Sequence, residues 1–60
     1  MKKVLLVEDD TALSIALRVR LEHAGHEVHI APDALHGINE AWDWKPDILV
    51  LDIVMPNGGG

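Results

Sequence analysis

The sequence predicts a small α/β domain of order β-α-β-α-β with a parallel sheet. Three observations lead there. "KVLLVE" at 3–8 and "DILVLD" at 47–52 are consecutive apolar runs, which suit parallel strands buried on both faces. "HEVHIA" at 26–31 alternates instead, with Val28 and Ile30 facing inward and Glu27 and His29 outward, the pattern of an edge strand. The two stretches between these runs carry helical periodicity and end signals. Strands alternating with helices imply a parallel sheet, and right-handed crossovers put the helices on opposite faces. With the alternating strand at an edge, the strand order is 2-1-3.

The first helix starts at Asp10 or Thr11, either of which can cap it, and ends at Gly25 as a left-handed residue just past its last turn. Leu13, Ala16, Leu17, Leu21 and Ala24 form its expected core face. Ala12, Ile15 and Val19 make a second apolar stripe, and a helix apolar on two sides usually touches something on both. Pro32 and Asp33 open the second helix and Pro46 stops it. Ala34, Ile38, Ala41 and Trp42 are its expected core face, with Trp44 over the helix end. Gly37 weakens this helix by roughly 1 kcal/mol relative to Ala. The third strand reads as an interior strand, yet order 2-1-3 leaves it at an edge.

Sixty residues make one domain, 1–60, ending in a flexible Gly-rich tail at 57–60. A chain of this size buries only about 60% of the surface its unfolded form exposes. There is no cysteine, so neither a disulfide nor thiolate zinc reinforces it. Self-association, giving a homodimer or higher homo-oligomer, is the expected compensation. The third strands, or the faces they leave bare, would meet across a two-fold axis; edge pairing would be antiparallel, and exchange of strands or helices is the alternative. A formal charge of −5 disfavours direct binding to nucleic acid or to an anionic membrane surface. The apolar run of "MKKVLLV" is cut short by Glu8, Asp9 and Asp10, so it is not a signal peptide, and no run is long enough to span a bilayer. The expected location is the cytoplasm.

The acids at the strand ends carry the functional signal. In open parallel sheets, ligands bind beyond the carboxyl ends of the strands near the switch in strand order. Glu8 and Asp9 end the first strand and Asp52 ends the third, so all three converge on one crevice. Two carboxylates about 5 Å apart repel by roughly 3 kcal/mol at an effective dielectric near 20. A cation or a proton must relieve that repulsion, and an oxygen-only ligand set selects a hard ion such as Mg2+. Asp10 reads as a helix cap. His23, His26, His29 and His36 read as surface histidines, because spacing three on a strand puts His26 and His29 on opposite faces.

"KVLLVEDD", "KPDILVLDIVMPN" and the distance between them resemble the receiver domain of bacterial two-component response regulators. The joint match of an acidic pair after strand one, "PD" before strand three and "D-x-x-MP" at its end is specific; either motif alone is weak. The resemblance covers the whole chain and about the first half of the family's domain. It implies one half of a flavodoxin-like doubly wound sheet, a phosphoacceptor role for Asp52, and Mg2+ held by Glu8, Asp9, Asp52 and the backbone carbonyl of Val54. Met55 and Pro56 match the pair that shapes the following loop. The implied partner of the parent protein is a sensor histidine kinase, and the chain is a phosphoacceptor rather than an enzyme. The family's phosphate-binding Ser or Thr, its Lys and its aromatic switch residue all fall beyond Gly60, so autophosphotransfer is expected to be impaired. The alternative is a half-domain that associates with itself and signals nothing. Aspartyl-phosphate hydrolases of the haloacid dehalogenase type also use a strand-end Asp, but they need a second Asp two residues on, where this chain has Val54.

Overall fold

A computed structural model of the chain describes residues 1–51. The elements are β1 (Lys3–Val7), α1 (Thr11–His23), β2 (Glu27–Ala31), α2 (Ala34–Trp44) and β3 (Ile48–Leu51). They form one three-stranded parallel sheet of order β2-β1-β3, as the sequence predicts. Val4, Leu5 and Leu6 of the central strand are almost fully buried, because consecutive residues point to opposite faces and a helix covers each face. Val4, Leu6 and Val28 pack with Leu17 and Leu21 of α1. Leu5, Val7 and Ala31 pack with Ala41 and Trp44 of α2. Asp47 ties the start of β3 to the start of β1: its N–H donates to the Lys3 carbonyl (2.8 Å) and its Oδ2 accepts the Lys3 N–H (2.9 Å).

The helix ends follow the sequence signals. Asp10 caps α1 and Asp33 caps α2, each side-chain oxygen accepting a backbone N–H three residues on. Gly25, at φ 94°, closes α1. Its N–H donates to the Glu22 carbonyl (3.0 Å) and the His26 N–H to the Leu21 carbonyl (3.1 Å), the paired bonds of a Schellman ending. Helix α2 ends with Lys45 in the left-handed region, at φ 53°, directly before Pro46.

Three expectations about helix faces need correction. The side of α1 against the sheet runs through Ser14, Leu17 and Leu21, whereas Leu13, Ala16 and Ala24 are exposed. Buried Ser14 donates its hydroxyl to the Thr11 carbonyl (2.8 Å), which satisfies its polar atom inside its own helix. Trp42 does not pack on the sheet; it is 73% exposed, and Trp44 packs against the core instead. On α2 the contact with the sheet passes through Gly37 and Ala41, while Ala34 and Ile38 stay exposed at its margin. A Cβ on Gly37 would lie 2.7 Å from Cγ2 of Val7, so this glycine permits the close approach of α2 to β1. The second stripe of α1, Ala12, Ile15 and Val19, is exposed.

Two outcomes follow. Gly37→Ala gains helix propensity but forces Val7 or α2 to move, and denaturant titration should show a net loss of about 1 kcal/mol. The His36 backbone N–H, and then the His36 side chain, hold the Asp33 carboxyl below its ordinary value of 3.8. The contribution of this cap is therefore complete above that value and is lost as pH falls through the lower folded value. Asp33→Asn, which keeps the cap without the charge, should flatten that acid limb of the stability profile.

Candidate functional site

At the carboxyl end of β1, three consecutive acids take three different positions. The Glu8 N–H donates to the Ala31 carbonyl (3.0 Å), extending the bonding to β2 one residue past the strand. The Glu8 side chain is buried, at 5% exposure, and its Oε2 accepts the Asp10 N–H (3.1 Å). Asp10 turns into the helix: its Oδ1 accepts the Leu13 N–H (3.0 Å) and its carbonyl accepts the Ser14 N–H (2.9 Å). Asp9, between them, is exposed. All three lie at the N-terminus of α1, where the helix dipole favours negative charge.

β3 runs beside β1 in the same sense, and Val7 pairs with Leu51 at the carboxyl end. Asp52 is the next residue in the sequence. Asp52 and Val54 lie outside the described residues, as do Met55, Pro56 and the tail at 57–60. The structure thus establishes that the first and third strands are adjacent and parallel, and it positions Glu8 and Asp9. Among the described residues, no three acidic or imidazole groups gather as a metal site. The donor chemistry of Glu8 and Asp9 is carboxylate oxygen alone, which suits a hard ion such as Mg2+.

Sequence reasoning did not anticipate the cluster around His29. Its ring stacks on Trp44 with centroids 3.5 Å apart, and its Nδ1 meets a carboxylate oxygen of Glu40. Lys3 Nζ lies 5.7 Å from the same indole ring and donates to the Trp44 carbonyl (3.2 Å). This cluster belongs to the α2 face of the sheet. The signal was available: His29 alternates with Val28 and Ile30 and so shares a face with Ala31, which α2 covers.

Residues 4–60 match the response regulator receiver domain family. The chain belongs to this family. The receiver chain is 42% identical, over its whole length, to the KDP operon transcriptional regulatory protein KdpE of Escherichia coli, and covers 27% of that protein. It is 36% identical over 98% of its length to the alkaline phosphatase synthesis transcriptional regulatory protein PhoP of Bacillus subtilis, covering 25% of it. It is 35% identical over its whole length to the DNA-binding dual master transcriptional regulator RpaA of Synechocystis, again covering 25%. The receiver chain thus spans about a quarter of the length of these curated relatives. Among the described residues, no helix is long and apolar enough to cross a membrane.

The division of the acids yields a stability test. Asp10→Ala removes a helix cap and should cost about 1 kcal/mol. Asp9→Ala alters an exposed side chain and should stay within about 0.5 kcal/mol of the parent in the same denaturant titration.

Proposed function

We propose that the chain is the phosphoacceptor part of a receiver module, with Asp52 as the residue modified. The observation that supports this reading is the parallel pairing of β1 with β3 in the register Val7 to Leu51, which brings the carboxyl ends of the two strands to one rim of the sheet. Glu8 and Asp9 follow one strand and Asp52 the other. In this reading a carboxylate oxygen of Asp52 attacks the phosphorus of a donor, a histidine kinase or a small phosphodonor. The bond from phosphorus to the donor's nitrogen or oxygen breaks, its electron pair leaves with the donor, and an acyl phosphate forms on Asp52.

Mg2+ would be held by Asp9, Asp52 and the Val54 carbonyl, with Glu8 acting through water; when bound it supplies positive charge against the carboxylates and the transferring phosphoryl group. Asp9 is exposed, as a direct ligand must be before the ion arrives. Glu8 is held by its own backbone bond and by the Asp10 N–H, which suits an acid that orients water rather than one that swings toward a metal. The module works in the cytoplasm with a sensor kinase and leaves nucleic acid to other segments of proteins such as its transcriptional relatives.

A second reading is carried by a different observation. All four residues of β3 are apolar and exposed, which supports a half-domain that associates with itself, as a homodimer or higher homo-oligomer, and signals nothing.

Titration calorimetry should find weak Mg2+ or Mn2+ binding that disappears in Asp9→Ala and in Asp52→Asn. Equal heats for the parent and both variants would reject the metal site. Incubation with acetyl phosphate followed by intact-mass measurement should add one phosphoryl group, slowly for the sixty-residue chain, to the parent and not to Asp52→Asn. An unmodified parent, or a modified Asp52→Asn, would reject the phosphoacceptor assignment.

A further inference from the structure

We infer that Asp47, just before β3, is a positioning residue for the phosphoacceptor: it fixes the register of β3 against β1 and so the point along the sheet from which Asp52 follows. The inference rests on the phosphoacceptor reading of Asp52 and adds the residue that places it. The side chains of β3 do not set this register by themselves. Ile48, Leu49, Val50 and Leu51 are all aliphatic, so a slip of one residue would still leave aliphatic side chains against most of β1. The polar atoms ahead of the strand do set it. The Asp47 N–H donates to the Lys3 carbonyl (2.8 Å) and its Oδ2 accepts the Lys3 N–H (2.9 Å), so one residue satisfies both backbone groups of Lys3. Neither neighbour can take its place. Pro46 has no N–H to donate, and Ile48 has no side-chain oxygen to accept. A slip in either direction therefore leaves a Lys3 backbone group without its partner.

Lys3 is itself held. Its Nζ donates to the Trp44 carbonyl (3.2 Å) and lies 5.7 Å from the indole centroid. Trp44 packs on the cluster of Leu5, Val7 and Ala31, and its ring stacks on His29 of β2. Lys45 and Pro46 alone separate Trp44 from Asp47; the first is left-handed at φ 53°, and the ring of the second fixes its φ. The three strands and α2 are thus clasped around Lys3, at the end of β1 opposite Glu8 and Asp9. Every contact of this clasp lies on the β1 side of β3. A strand rises about 3.3 Å per residue, so a one-residue slip carries whatever follows β3 by that distance and turns its side chains to the other face. A misplacement of about 1 Å can already cost about a hundredfold in a reaction that depends on positioning.

Asp47→Ala removes the acceptor, whereas Asp47→Asn keeps an oxygen for the Lys3 N–H and removes the charge. Amide hydrogen exchange followed by NMR should show Asp47→Ala losing protection at the β3 amides that are slow in the parent, by at least about tenfold more than at the β2 amides. Asp47→Asn should keep the parent's pattern. A general loss of stability would lower both strands together. Incubation with acetyl phosphate and saturating Mg2+, with sucrose added until circular dichroism shows equal folded fractions, should label Asp47→Ala at least about tenfold more slowly than the parent. Asp47→Asn should be labelled at close to the parent's rate. A labelled parent whose Asp47→Ala variant is labelled equally fast, or loses protection equally in β2 and β3, would overturn the positioning role and leave the phosphoacceptor reading standing. An Asp47→Ala chain that stays unfolded in sucrose, or an Asp47→Asn chain that behaves as Asp47→Ala, would do the same. A parent that takes up no phosphoryl group would overturn the phosphoacceptor reading, and the positioning role with it.

Discussion

The central position of β1 is the constraint on which the rest of the structure depends. Its residues pair with β2 on one edge and β3 on the other, and its side chains supply both halves of the core. A strand used on both edges and both faces has no room for polar residues, which is why "VLLV" is unbroken and why its acids begin only at Glu8. Each fully buried aliphatic side chain contributes about 1.5–3 kcal/mol. In a chain this small, Val4, Leu5 and Leu6 therefore hold much of the available hydrophobic stabilisation.

That constraint also places the acids. Because β1 is buried until Val7, the first residues able to meet water or an ion are those at its carboxyl end. The turn into α1 then separates their tasks: the Asp10 side chain caps the helix, Glu8 is fixed under the turn, and Asp9 is left exposed. Capping uses one carboxylate and shields a second, so three adjacent negative charges are tolerated where the sequence alone would suggest only repulsion. The third strand can reach the same rim only because it lies next to β1 and runs parallel to it, with Asp47 setting the start of the register.

Strand order, helix number and both caps were legible in the sequence because each rests on a local signal: a run of Val and Leu, an Asp before a helical period, a Gly after one. The helix faces were less legible. Ser14 was passed over because polarity counts against burial, yet its hydroxyl is satisfied by the Thr11 carbonyl within the helix. Gly37 reads as a weak point on propensity alone, whereas its lack of a side chain is what lets α2 rest on Val7. Trp42 and Trp44 differ by two positions, about 200° around a helix, so only one of them can face the sheet, and the face drawn through Ala34, Ile38 and Trp42 selects the wrong one. Of the site, Glu8 and Asp9 were legible and are positioned by β1; Asp52 and Val54 rest on the motif alone.

The distribution of burial joins the fold to the function. β1 is buried from Val4 to Val7 and β3 is exposed, although both stretches are runs of aliphatic residues. β1 lies between β2 and β3 with a helix over each face, whereas β3 has a single neighbour among the described residues. The least covered strand is the one whose carboxyl end leads to Asp52.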